Sequence, residues 1–290
     1  MKEKKVVLVI GGSDPSGGAG IQADIKTAVR LGLYPCSAVT ALTAQNGSKV
    51  SGIWPVEKDI LRSQLDAVFS DFTPAAVKVG LLASEEGIRC VASCLEEFDA
   101  QNIVVDPVIT PTLSSGDKRD SLYPVLAEFL FPLATLVTPN IPEKDRIESS
   151  SGQPLESLCS AFLLKGGHSD GEFVEDTLFY RSHVAPGHPA PSSAFPTLNF
   201  NHSSAFIQDS IMPPPEEEIH WVSKTFRHKR ISTGNTHGSG CVLSSAIASF
   251  LAEGYDLEHA VEKAIKFLHD AMRDSSIWKP NEGPYGPVLI

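Results

Sequence analysis

Short β-rich apolar runs alternate along this chain with stretches whose apolar residues recur at helical spacing. Residues 6–10 precede a helical pattern at 19–31, and 37–41 precede 58–70. The runs 77–79, 103–105 and 135–137 carry the rhythm on, with helical patterns at 85–98 and 121–130 between them. Repeats of strand, helix and strand predict a parallel sheet, since parallel neighbours need a crossover connection. Ile103-Val104-Val105 is apolar without alternation, which predicts burial on both faces, as in doubly wound folds. Helical patterns at 241–252, stopped near Gly254, and at 257–272 close the chain. The class is α/β, expected as a single domain over 1–290 with no internal repeat.

One segment breaks the rhythm. Residues 183–221 hold seven prolines and the run Glu216-Glu217-Glu218, with few periodic apolar positions. The segment reads as an insertion: a lid, a partner-binding arm or a loop without catalytic duty. It lies between two candidate ligand-binding blocks, so it is expected to emerge at the nucleotide edge of the site as a mobile flap.

Charge narrows the function. The 290 residues are 42% hydrophobic, and 24 Lys plus Arg face 35 Asp plus Glu, a net charge of −11. With no basic run, a nucleic-acid-coating role is excluded, and an anionic ligand must be held by local donors. The apolar run behind Met1–Lys5 is too short for a secretion signal. The stretch 126–137 contains Glu128 and Pro132 and stays below the ~20 residues of a membrane span. Five scattered cysteines without CxxC spacing argue against a disulfide framework and a zinc site, so a reducing cytoplasm is expected.

The first chemical block, Gly11-Gly12-Ser13-Asp14-Pro15-Ser16-Gly17-Gly18-Ala19-Gly20, leaves a strand and enters a helix. Dense glycine lets backbone approach a ligand, and the helix start offers free N–H groups. No Gly-Lys-Ser/Thr follows, which excludes a Walker A loop. Gly18-Ala19-Gly20 with Ala23 imitates a dinucleotide fingerprint but lacks its downstream acid. Asp24 in the helix and Gln45 at a strand end are placed to meet in a crevice, where carboxylate plus carboxamide suits a heteroaromatic ring. Each also has a plain role open to it, as a helix-start charge or a turn residue.

Asn235-Thr236-His237-Gly238-Ser239-Gly240-Cys241 runs into the long apolar helix, and its successive N–H groups can form a nest for a phosphoryl group. A thiol at a helix start is expected to have a lowered pKa, so Cys241 can serve as a base; a buried structural cysteine is the alternative. Asn140 with Glu143 suits magnesium, and Lys165-Gly166-Gly167-His168 suits a phosphate tail. The span 167–171 also matches GxSxG, although a strand rather than a helix is predicted after it.

Taken together, these blocks, with Thr-Ala-Leu-Thr-Ala-Gln-Asn at 40–46, Lys-Val-Gly-Leu-Leu at 78–82 and Asp106-Pro107-Val108, resemble bacterial hydroxymethylpyrimidine/phosphomethylpyrimidine kinases, members of the ribokinase-like superfamily. The resemblance implies a ribokinase-like three-layer α/β/α sandwich and ATP-dependent phosphorylation of 4-amino-5-hydroxymethyl-2-methylpyrimidine, then of its monophosphate, in thiamine biosynthesis. It implies Gly12, Asp24, Gln45, Leu81 and Val108 at the pyrimidine, with Leu81 standing where Met is usual. Cys241 is implied as base, with Gly238, Ser239 and Gly240 as anion hole. Asn140, Lys165, Thr236 and His237 would serve ATP, and Glu143 and Asp106 would serve Mg²⁺. A homodimer is the expected assembly. Two departures stand out: the insertion, and a short 144–164 connection whose Ser149-Ser150-Ser151-Gly152 run is expected to interrupt its helix. A pyridoxal kinase, a bifunctional enzyme and a non-catalytic ligand-binding regulator are the alternatives.

Overall fold

The structure, a computed structural model, describes residues 4–109, 119–167, 171–183, 219–276, 286–288 and 290. Its nine strands are β1 (Val6–Ser13), β2 (Tyr34–Gln45), β3 (Val50–Pro55), β4 (Ala76–Val79), β5 (Ile103–Val105), β6 (Leu136–Val137), β7 (Ala161–Leu164), β8 (Phe173–His183) and β9 (Ile219–Lys229). They form one sheet in the order β3-β2-β1-β4-β5-β6-β7-β8-β9. The strands from β2 to β7 across the sheet run parallel, β3 and β8 run against them, and β9 pairs antiparallel with β8 and so runs with the parallel set.

Alternate residues of the central strands feed two separate cores, as the unbroken apolar runs require. Leu8, Ile10, Val77, Val79, Ile103 and Val105 pack on one side, under α2 (Lys58–Asp71), α3 (Glu85–Glu97) and α4 (Leu122–Phe129). Val7, Val9, Ala76 and Val104 pack on the other, under α1 (Gly20–Arg30), α7 (Ser239–Ala252) and α8 (Leu257–Ser275). The outcome is a three-layer α/β/α sandwich. Each fully buried Leu, Ile or Val contributes roughly 1.5–3 kcal/mol relative to exposure, so the two cores carry the fold.

The short 144–164 connection holds a complete helix after all. In α5 (Ile141–Ser151) the three serines turn their hydroxyls back to the carbonyls of Asp145 and Ile147, and Gly152 closes the helix in the left-handed conformation at φ 69°. Ile147, and Leu155 of the one-turn α6 (Leu155–Leu158), are buried in the core. The apolar pattern does not announce β3 or β9, because Gly52 and Pro55 interrupt the run of β3 and β9 begins inside the Pro-rich segment.

Most of that segment, 184–218, lies outside the described residues, and so does the expectation of a mobile flap. Its two ends are described. Because β8 runs antiparallel, Ala161 at the start of β7 pairs with Tyr180, and β8 continues past it to His183, the register partner of Ile219. The segment therefore leaves the sheet from the edge opposite the parallel strands' C-terminal ends, not at the nucleotide edge. Replacing 184–218 by a short Gly-containing turn is expected to leave kcat and both KM values within about threefold of wild type in steady-state assays.

Candidate active site

The C-terminal ends of the parallel strands open into a cavity of about 700 Å³, the crevice that open α/β sheets offer to ligands. The two glycine-rich blocks meet there. Asp14 joins them: its carboxylate accepts from the Ser16 N–H at 2.8 Å, the Gly18 N–H at 3.2 Å and the Ala19 N–H at 2.8 Å, and lies 3.0 Å from His237 Nε2. Gly238, at φ 81°, packs so closely that a Cβ on it would stand 1.8 Å from the Gly18 carbonyl oxygen, so only glycine fits. The loop amides of Ser16, Gly18 and Ala19 that lead into α1 are thus taken by the chain's own carboxylate, which leaves Gly18-Ala19-Gly20 little to offer a dinucleotide pyrophosphate.

Burial alone would raise the Asp14 pKa, but hydrogen bonds from His237 and Ser16 hold the carboxyl at about 2. A folded value below the unfolded one stabilises fully above about pH 4, and that stability is lost as pH falls toward 2. Asp14→Asn is expected to remove about 2 kcal/mol at neutral pH and to flatten the acid fall, read by urea unfolding across pH.

At one end of the cavity Gly12, Leu81 and Val108 form an apolar wall, with Ala41, Ala83 and Ile53 behind it. A Cβ on Gly12 would lie 2.7 Å from Leu81 Cδ2, so this wall is flat because the glycine is bare. Gln45 stands beside it with a buried Oε1 that has no hydrogen-bond partner among the described residues. A buried acceptor left empty is costly, so a donor on a ligand is its natural partner.

Two ion pairs form the floor, with Lys78, Asp106 and Lys165 lining it and Asp24 below. Lys78 Nζ donates to both Asp24 oxygens at 2.8 and 3.0 Å, Ser245 donates to the same carboxylate at 2.6 Å, and the two ionised side chains are 1% and 0% exposed. Burial alone would depress Lys78, but Asp24 outweighs it and holds the ammonium above the ordinary lysine range. Lys165 Nζ lies 2.8 Å from Asp106 Oδ1 and 3.8 Å from Glu143 Oε2. Burial works against the Asp106 charge, yet Lys165 and Lys78 hold its pKa below the usual carboxylate range. Asn140 and Glu143 form a capping box at the start of α5, each side chain accepting the other's backbone N–H at 2.8 Å.

The start of α7 faces this floor. Ser239 N–H turns to the Thr236 carbonyl at 3.2 Å, while the N–H groups of Gly238, Gly240 and Cys241 have no acceptor among the described residues. A Cβ on Gly240 would stand 3.5 Å from both Lys165 Nζ and Asp106 Oδ2, so the bare glycine leaves that space to a ligand. The helix start does not lower the Cys241 pKa: burial pushes the thiol up to about 11, while Lys78 and the Gly20 N–H pull the other way.

The sequence model of the phosphomethylpyrimidine kinase family matches residues 14–186 and 202–288. This chain belongs to that family. It is 34% identical over 295 residues to the hydroxymethylpyrimidine/phosphomethylpyrimidine kinase of Escherichia coli K12, covering 97% of this chain and 95% of that one. A thiamine biosynthesis bifunctional protein of Geobacter sulfurreducens is 37% identical over 98% of this chain, which spans 52% of that protein's length. A thiamine biosynthetic bifunctional enzyme of rice is likewise spanned only to 46%. Among solved structures, a Clostridium difficile phosphomethylpyrimidine kinase aligns over 92% of this chain and 99% of its own at 31% identity and TM-score 0.64. A Bacillus subtilis pyridoxal kinase in complex with ADP aligns over 99% and 97% at 25% identity and TM-score 0.77. The fold is ribokinase-like, as the resemblance implies.

Seen as a phosphomethylpyrimidine kinase family member, the chain brings every implied site residue to the walls of one cavity except Asp24. Asp24 lies under the floor, fully buried and outside the cavity lining, with its carboxylate engaged by Lys78 and Ser245. The His237 imidazole lines the cavity with its Nε2 3.0 Å from the Asp14 carboxylate. The family match breaks between 186 and 202, inside the Pro-rich segment. His168 and Ser169 lie outside the described residues; after them β8 is a strand, so the GxSxG match lacks the helix a nucleophile elbow needs. Sequence reasoning missed Lys78 and the far end of the cavity, where Leu243, Ile265, Leu268 and Met272 from α7 and α8 face His228 and Asp176. Helical apolar spacing looks the same whether it lines a pocket or a core.

Proposed function

We propose that this chain transfers the γ-phosphoryl group of ATP to the hydroxymethyl oxygen of 4-amino-5-hydroxymethyl-2-methylpyrimidine, and then phosphorylates the resulting monophosphate, in thiamine biosynthesis. The observation that carries the proposal is the pairing of the unsatisfied Gln45 Oε1, beside the apolar Gly12–Leu81–Val108 wall, with a bare helix start and thiol facing the same cavity. The ring packs on the wall and its amino group donates to Gln45. The hydroxymethyl oxygen then attacks the γ-phosphorus in line, the bond to the β-phosphate oxygen breaks, and ADP leaves. The N–H groups of Gly238, Gly240 and Cys241 donate to the transferring oxygens, and Lys165 faces the phosphate tail. The Cys241 thiolate takes the hydroxyl proton, a modest demand on a base when the transition state is loose.

No cluster of three metal-ligating side chains exists among the described residues. Asp106 Oδ2, which meets only Ser244 at 3.4 Å, and Glu143 Oε1 instead fit a magnesium ion arriving on nucleotide phosphates, the usual manner for that ion. Magnesium so held supplies neutralisation of the phosphate charge. The residues at 236–241 and Asn140 complete the nucleotide side. A reducing cytoplasm is supported by five unpaired thiols, and no helix among the described residues is long and apolar enough to cross a membrane. A homodimer is part of the proposal: Leu42 and Trp54, register partners at the sheet edge, are 56% and 58% exposed, and Trp54→Glu is expected to shift the mass in light scattering toward a monomer.

A pyridoxal kinase is the second reading, favoured by the alignment of pyridoxal kinases from Bacillus subtilis and Staphylococcus aureus over 99% of this chain. Both substrates are hydroxymethyl-bearing heteroaromatic rings, but only the pyrimidine has an amino donor on the carbon next to that group. ADP release with ATP and each alcohol decides: the pyrimidine and its monophosphate should react, and pyridoxal should lag by at least about tenfold in kcat/KM. Gln45→Leu should raise the pyrimidine KM about tenfold at similar kcat. Release with pyridoxal alone would transfer the assignment, and release with neither would leave a binding protein.

A further inference from the structure

Only two buried side-chain polar atoms among the described residues lack a hydrogen-bond partner, Gln45 Oε1 and His228 Nδ1. Both residues, Gln45 and His228, line the same cavity. Gln45 ends β2, near one edge of the sheet, and His228 lies on β9, the other edge strand, with the helix start of α7 between them. If Gln45 marks the place of the phosphoryl acceptor, the phosphoryl donor must lie across the α7 start and end near His228.

The surroundings of His228 have the chemistry of a slot for a flat heteroaromatic base. Val174 is its register partner on β8, the His269 ring meets it edge-on at 5.7 Å, and Leu243, Ile265, Leu268 and Met272 bring apolar surface from α7 and α8. Apolar faces with one or two placed polar groups are how small-ligand sites are built. Asp176, two residues along β8, has its Oδ1 on the Gly166 N–H at 2.8 Å. Burial holds the His228 ring below its ordinary pKa; Asp176 opposes that, while His269 and Arg230 act with burial, so the ring is neutral. A neutral imidazole has one bare nitrogen. An orphaned buried N–H is rarer than an orphaned acceptor, which assigns the bare nitrogen to Nδ1.

We propose that His228 is a specificity-determining residue for the nucleotide, its Nδ1 accepting a hydrogen bond from the amino group of adenine. Guanine turns a carbonyl oxygen to the corresponding edge and finds no donor there. The proposal rests on the ATP-dependent reading of the cavity, but it can be tested without turnover. Calorimetric binding of ADP, with no alcohol present, would compare wild type, His228→Leu and His228→Asn. Leucine removes the acceptor and keeps the bulk, whereas the asparagine carboxamide returns an acceptor near the place of Nδ1.

The expected result is a Kd for ADP raised about tenfold in His228→Leu and within about twofold of wild type in His228→Asn. The kcat/KM preference for ATP over GTP should fall by a similar factor in the leucine variant, with the alcohol KM unchanged. Equal ADP affinity in all three proteins, or equal loss in both variants, overturns the assignment. If no alcohol is phosphorylated while ADP binding follows the expected order, the kinase reading fails and the base-reading role of His228 stands.

Discussion

Cys241→Ala is expected to lower kcat by about 10²-fold or more, with the pyrimidine KM within about twofold of wild type. A neutral thiol cannot take a further proton, so only the thiolate can accept the one that leaves the hydroxymethyl group. With burial holding the pKa at about 11, the thiolate is scarce at neutral pH and grows about tenfold per pH unit as that value is approached from below. Wild-type kcat should therefore climb from pH 7 to pH 10, with folding checked by circular dichroism, while the alanine variant stays low and level. A flat wild-type profile beside an unimpaired variant would remove Cys241 from the chemistry.

The largest effect on stability is expected at Lys78. Lys78→Met leaves the Asp24 carboxylate buried with Ser245 as its remaining partner, and breaking a buried pair from one side costs about 3–5 kcal/mol. Lys78→Met combined with Asp24→Leu removes both charges and should recover most of that loss, because the desolvation cost disappears with the pair. Urea unfolding of the two variants reads the difference directly. A single variant no less stable than the double one would show the pair to be unimportant. Lys78 also lowers the Cys241 pKa through its charge. In any folded preparation of the single variant, the rise of kcat with pH should therefore move to higher pH.

Local pattern carried the sandwich: unbroken apolar strands such as Val104 between Ile103 and Val105 need two covering layers, and two separate cores supply them. The glycine blocks were legible because their residue types permit close backbone approach wherever they occur. What local pattern does not contain is partnership across the chain. Asp24 looks like a free carboxylate in the first turns of a helix until Lys78, 54 positions away, and Ser245, 221 positions away, are folded onto it. The thiol of Cys241 likewise has the helix start that lowers a pKa, and only its buried neighbours reveal why that influence loses. The antiparallel turn of β8 reversed the exit of the Pro-rich segment, since strand direction is a property of pairing rather than of composition.

The β8–β9 ribbon sets two eleven-residue strands side by side from Phe173–Lys229 to His183–Ile219, and their far ends meet away from every group assigned to chemistry. A chain severed between those ends would keep in each fragment one complete half of that ribbon. The larger fragment would retain Asp14, Gln45, Lys78 and Lys165, and the smaller one Cys241 and its helix. Neither half can act alone, because the base and the glycine loop that receives it fall on different fragments. The molecule is therefore suited to complementation: two inert polypeptides, 1–183 and 219–290, whose reunion along one long pairing restores turnover and so reports on whatever brings them together.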